Sequence, residues 1–223
     1  LVQGFQKTRS VKKYAIRMAL FALISEIPFD LAISGTVMEF GYQNVYFTLL
    51  LGLLALCAID WLAKQEFLPA VQWLLLAVGV AAPTVYVLMM YWNAFTVLRI
   101  AVVVCVAAVT VVALIRFLVK KGVTQTSQIF AGVAAAVAAM VFADLLRTDY
   151  SGMGVLTIVA MYVFREKKVI SMLSGCIVLS LMSLSELPAF FALIPIALYN
   201  GERGLKMKYF FYAFYPVHLF LIW

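Results

Sequence analysis

Charge is scarce in this sequence, and that scarcity excludes most soluble folds. Only 12% of the 223 residues are charged and 66% are hydrophobic, with a mean hydropathy of +1.06, against about 45–50% apolar and about 25% charged residues in soluble domains. The composition is that of an integral membrane protein. Cysteine is almost as sparse: Cys57, Cys105 and Cys176 stand singly in apolar runs, which argues against both a disulfide framework and a zinc site. No metal is expected. The Gly-x-x-x-x-Gly-Lys phosphate loop and the Gly-x-Ser-x-Gly elbow are both missing, which removes the commonest nucleotide and hydrolase signatures. The formal charge of +7 comes from short basic clusters between apolar runs, where Lys and Arg act as topology signals and not as a nucleic-acid surface.

What is present is a succession of apolar runs. Stretches near the membrane-spanning length of about 20 residues fall at about 14–33, 42–63, 68–92, 95–119, 127–146, 152–164, 169–185, 187–199 and from 209 onward. The expected fold is therefore an all-α, polytopic membrane bundle of about nine helices, read as one transmembrane domain over 1–223. The runs at 152–164, 187–199 and the last are short for a full crossing, so partial re-entry is open to them. The chain opens on LVQGFQKTRS as though leaving a helix and stops at LFLIW inside an apolar run. It is expected to be part of a longer protein, incomplete at both ends.

With the start placed in the cytoplasm, every Lys and Arg except Arg99 and Arg147 falls on the inner side, as the positive-inside rule requires. Acidic residues run the other way. Glu26, Asp30, Glu39, Asp144, Asp149 and Glu186 fall in the outer half, making an acidic outer mouth, although Glu39 and Asp149 read equally well as solvated loop residues.

Glu26 and Asp30 are harder to dismiss. Spaced i, i+4 in FALISEIPFDLAIS, they share one helix face, with Pro28 between them expected to tilt the last turn. Ionised groups inside the hydrocarbon cost a few kcal/mol on insertion scales, so the pair is expected to line a polar cavity rather than snorkel to the surface. A second Ser-Glu-apolar-Pro stands at Ser185, Glu186, Leu187 and Pro188, and four residues are too few to make a repeat. Asn200-Gly201-Glu202-Arg203-Gly204 reads as a helix stop and turn. His218 is the only histidine. It lies roughly 13 Å along the last helix at about 1.5 Å per residue, with Pro216 nearby. A lone His in an apolar helix is usually structural, but an intramembrane ionisable group is a functional candidate by default, and imidazole is the natural proton acceptor near neutral pH.

Four blocks carry a family resemblance. FALISEIPFDLA, NVYFTLLLGLLAL, LLRTDYSGMGVL and LYNGERGLKMKYFFYAFYPVHLFLI resemble, in this order, the TraX family of bacterial membrane proteins, named for acetylating conjugative pilin. The resemblance covers 1 to about 63 and about 142–223; residues 64–140 read as an extra helix pair, and an upstream helix carrying the family's Asp-His pair is expected to be absent. It implies an acyltransferase of the bacterial inner membrane that takes acetyl from cytoplasmic acetyl-CoA and passes it to an exported protein, peptide or glycan. On that reading His218, Glu26 and Asp30 do the chemistry. Asn44 and Thr48 offer hydrogen bonds to a carbonyl or oxyanion, or else join helices. Arg147 pairs with Asp144 or Asp149, and Asp149, Tyr150 and Tyr215 complete substrate binding. The alternative is a proton- or cation-coupled transporter with Glu26, Asp30, Asp144 and His218 as a relay.

Overall fold

A computed structural model describes residues 1–200 and 207–222, and these are helical with no named strand. The turn read at Gly201–Gly204, with Glu202, Arg203 and Lys206, lies outside the described residues. In chain order the helices are α1 (Val2–Lys7), α2 (Val11–Ser34), α3 (Val45–Leu62), α4 (Pro69–Met90) and α5 (Thr96–Leu145). They are followed by α6 (Ser151–Val163), α7 (Lys168–Met182), a 3₁₀ segment (Leu184–Ala192), α8 (Leu193–Leu198) and α9 (Lys208–Ile222). Each apolar run found in the sequence is a helix or, at 187–199, a 3₁₀ segment running into α8. Among the described residues α3, α4 and α5 are long and apolar enough to cross a membrane, and the protein is a membrane protein by that composition. The three runs that read as short are short: α6 has 13 residues, α8 has 6 and α9 has 15.

Helix boundaries follow local chemistry. Ser10 opens α2, its hydroxyl accepting from Lys13 N at 3.3 Å, and Gly35 closes it in the left-handed conformation, its N–H bonded to the Leu31 carbonyl. Between them α2 continues through Pro28 to Ser34 as one helix. The 50 residues of α5 would reach about 75 Å at 1.5 Å per residue, more than twice the roughly 30 Å hydrocarbon layer. Gly122, at φ 75° and ψ 179°, breaks it into two helices. That backbone region is essentially closed to residues with a Cβ. The link expected over 120–126 is thus a single residue, with Thr126 Oγ1 bonded to the Gly122 carbonyl at 2.6 Å and Ser127 Oγ to Thr124 at 2.7 Å.

The chain forms two compact units. One comprises Leu1–Leu54 with Phe142–Trp223, the other Ala55–Val141. In the first unit α6 packs along α7, α2 along α9, and α7 against the 3₁₀ segment and α8, while α1 lies on α6 through Phe5 edge-on to Tyr162 at 5.8 Å. The α3–α6 crossing depends on small residues, as membrane helix pairs commonly do. A Cβ at Gly52 would meet Ile158 Cδ1 at 2.3 Å, and one at Gly154 would meet Thr48 Cγ2 at 2.5 Å. In the second unit, Gly79 of α4 lies against the Phe130 backbone, and Gln128 Nε2 donates to the Gln65 carbonyl at 2.7 Å.

Candidate functional site

The polar residues of the first unit converge where α3 begins. Asn44 precedes an apolar run, and its side-chain Oδ1 accepts from Tyr46 N at 2.9 Å, so it is the N-cap that starts the helix. Its amide is doubly committed. Nδ2 donates to the Ala22 carbonyl at 2.8 Å and to Glu26 Oε2, and its backbone N–H reaches the same carboxylate oxygen at 3.3 Å. Glu26 thus sits at the positive end of α3, where a carboxylate is stabilised by the exposed N–H groups and the helix dipole. This answers the cost that the sequence raised. The charge within α2 is held by donors from a neighbouring helix.

Asp30, one turn on, is 2% exposed. Its Oδ2 accepts from Glu39 N at 2.8 Å, whereas Oδ1 is buried with no hydrogen-bond partner among the described residues. The two carboxylates therefore share a face of α2 but bind different segments, Glu26 the start of α3 and Asp30 the connection before it.

The second wall is the segment between α5 and α6. Thr148 forms a parallel bridge to Gln43, with Gln43 N donating to the Arg147 carbonyl at 3.1 Å and Asp149 N to the Gln43 carbonyl at 2.8 Å. Thr48 Oγ1 donates to the Asp149 carbonyl and lies 2.9 Å from Thr148 Oγ1. The Tyr42 hydroxyl donates to Asp149 Oδ1 at 2.7 Å. Tyr42 precedes α3 and lies outside the span, and burial first, then this hydrogen bond to a carboxylate, pushes its phenol up to about 12. Burial, followed by the charges of Glu186 and Asp149, also raises Tyr150 above its ordinary value. Arg147, Tyr150 and Ser151 all have positive φ, at 49°, 64° and 46°. Three such non-glycine residues within five positions mark a strained turn, a feature that clusters at functional sites.

Asn44 and Thr48 take the second of the two roles open to them, and one expected pairing is not made. Asn44 and Thr48 are fully or almost fully buried with their donors already engaged, so neither has a hydrogen free for a substrate carbonyl; they fix Glu26 and the strained turn instead. The pairing of Arg147 with Asp144 or Asp149 is not made. Arg147 is exposed, and among the described residues it forms no ion pair, because Asp149 accepts from Tyr42 and Asp144 Oδ1 from Gly152 N at 2.7 Å. Nor are the two Ser-Glu-apolar-Pro stretches alike: Glu26 lies within α2 and Glu186 in a 3₁₀ segment.

Helix α9 brings the remaining residues. The Tyr215 ring stands edge-on to Tyr46 at 5.2 Å and to His218 at 5.5 Å. Its hydroxyl lies against the Val45 backbone N–H, within electrostatic range of Glu26, Asp149 and Tyr46. His218 stacks on Phe214 at 5.1 Å, and its Nδ1 is 3.1 Å from the Phe214 carbonyl. A carbonyl only accepts, so this contact places a proton on Nδ1. Beside these residues α2 and α9 form an apolar groove of about 390 Å³ lined by Ile24, Pro28, Pro216, Val217, Phe220 and Leu221. Tyr42, Tyr46 and Thr148 were not singled out in the sequence. Their aromatic and hydroxyl side chains carry no spacing signal, because their partners are remote in the chain.

Among the described residues no cluster of His, Cys, Asp or Glu suits a metal ion. A family model described as TraX protein matches residues 1–143 and 106–223, and both matches extend into the 64–140 stretch. No curated protein and no solved structure matches the chain.

Proposed function

The chain belongs to the TraX family, and from that premise we propose that it is a membrane-embedded acyltransferase. It moves an acetyl group from cytoplasmic acetyl-CoA to an amine or hydroxyl of an exported acceptor, in the bacterial inner membrane. The observation that carries this reading is the gathering of Glu26, Asn44, Tyr215 and His218 from α2, α3 and α9 inside helices that are otherwise apolar. A polar constellation within a membrane bundle is costly and is retained for chemistry or transport.

In this scheme His218 is the general base. Its Nε2 takes the proton of the acceptor as the acceptor's nitrogen or oxygen forms a bond to the thioester carbonyl carbon. The C–S bond then breaks, and the departing thiolate receives that proton from the imidazolium. Glu26 and Asp149 orient a cationic acceptor from outside. The donor's phosphates meet the half-buried Arg165 and the exposed Lys167 and Lys168, of which Arg165 lies over Tyr162 and Lys168 over Tyr199.

Mass spectrometry of secreted and surface material from cells with and without the full-length gene tests the proposal. A species heavier by one acetyl group, present only with the gene, is the expected result. Identical spectra, together with no consumption of acetyl-CoA by the purified full-length protein, would remove it.

A further inference from the structure

If the protein is an acyltransferase, the tetrahedral intermediate carries a negative oxygen, and one preorganised donor aimed at such an oxygen is typically worth about 10²–10³ in rate. The site contains few free donors. Both N–H bonds of the Asn44 amide are engaged, by Ala22 and Glu26. Thr48 is engaged by Asp149, the Tyr42 hydroxyl by the Asp149 carboxylate, and Tyr46 N by Asn44. The Tyr215 hydroxyl is different. It meets the Val45 N–H with its oxygen, and among the described residues its own hydrogen has no acceptor.

We propose that Tyr215 is a catalytic residue: its O–H donates to the acyl carbonyl oxygen as that oxygen becomes negative. Three features fit it for this role. The backbone N–H of Val45, in the first turn of α3, faces the phenol oxygen, which leaves the hydroxyl hydrogen to point elsewhere. The ring is held between Tyr46 and His218, so the hydroxyl is positioned without cost at the moment of reaction. And the ring stands edge-on to His218, which puts a carbonyl bound at Tyr215 beside the base. The step balances. The acceptor forms its bond to the carbonyl carbon, the π pair moves to oxygen and takes the Tyr215 hydrogen bond, and His218 Nε2 receives the acceptor proton. The pair then returns, the C–S bond breaks, and the thiolate leaves with its electrons and the proton. Tyr215 keeps its own proton throughout.

This inference rests on the acyltransferase reading, and the experiment separates the two. Full-length protein in proteoliposomes is given radiolabelled acetyl-CoA, with extract from cells lacking the gene as the source of acceptor. Wild type should label the acceptor. Tyr215→Phe keeps the ring between Tyr46 and His218 and removes only the hydroxyl; it should label at least about 100-fold more slowly, with unchanged yield and acetyl-CoA affinity. A second variant carrying 3,5-difluorotyrosine at 215, whose phenol is more acidic, should retain activity but lose it at a lower pH than wild type, because only the protonated phenol donates. A Phe variant as fast as an active wild type overturns the role of Tyr215 alone, as does an alkaline limit unmoved by fluorination. A wild type that labels nothing overturns the acyltransferase reading and the Tyr215 role together.

Discussion

His218 is held by its own helix: it stacks on Phe214 and bonds the Phe214 carbonyl. Replacing it therefore leaves the contacts of Glu26 and Asn44 in place. His218→Gln should lower acyl transfer by at least about 100-fold, the lower bound for a positioned base, at similar yield and similar acetyl-CoA affinity. Near-normal turnover per molecule would make the histidine structural. Glu26→Gln differs, because the amide oxygen can still accept from Asn44 while the charge at the start of α3 disappears. Turnover in the purified protein is expected to fall at least about tenfold, about 1.4 kcal/mol of transition-state stabilisation, without loss of membrane insertion; full activity would return Glu26 to a capping role. The sequence singled out both residues because a charge within an apolar run is costly wherever it is placed. It left Asn44 and Thr48 open between a substrate carbonyl and helix joining. A polar side chain in a helix advertises that it needs a partner, but not whether the partner is a substrate or, as here, Ala22, Glu26 and Asp149.

Ser10, Asn44 and Gly35 cap helix ends locally, but only the helices themselves were legible, because the apolar runs are long. Two element-level features were not. The strained turn at Arg147, Tyr150 and Ser151 uses residues with no preference for positive φ, so only the bridge from Gln43 to Thr148 reveals why it forms. The link inside α5 was expected to be a loop and is a single glycine. Gly122→Ala places a Cβ at φ 75° and ψ 179°, at a cost of about 1–3 kcal/mol. The unfolding midpoint in detergent should drop by roughly 2–4 °C for each of those kcal/mol, with turnover per folded molecule retained. An unchanged midpoint would show that the break tolerates a side chain.

For the whole molecule, the distribution of Lys and Arg sets an orientation that labelling can read. In a background where Cys57, Cys105 and Cys176 are replaced, single cysteines at the exposed positions Lys121 and Lys168 should resist an impermeant thiol reagent in intact cells. One at Ser34, also exposed, should react. The reverse pattern would invert the donor-inside, acceptor-outside scheme. The sequence reads as one domain with an extra helix pair at 64–140, whereas the chain forms two units, of which Ala55–Val141 interrupts the first. That interruption also sets an order of assembly. The Glu26–Asn44 contact spans 18 residues, whereas Thr48–Thr148 and Tyr42–Asp149 span 100 and 107. Closing the longer loops costs only about 1.5 kcal/mol more in chain entropy, at about 0.6 kcal/mol per doubling, so thermodynamics tolerates the insertion easily. Time is another matter. A ribosome adding about 5–20 residues per second delivers Asn44 to Glu26 within seconds, which offsets the cost of a carboxylate within α2 while α2 and α3 are still a newborn hairpin. Thr48 and Tyr42 must wait until the whole intervening unit has been threaded into the bilayer.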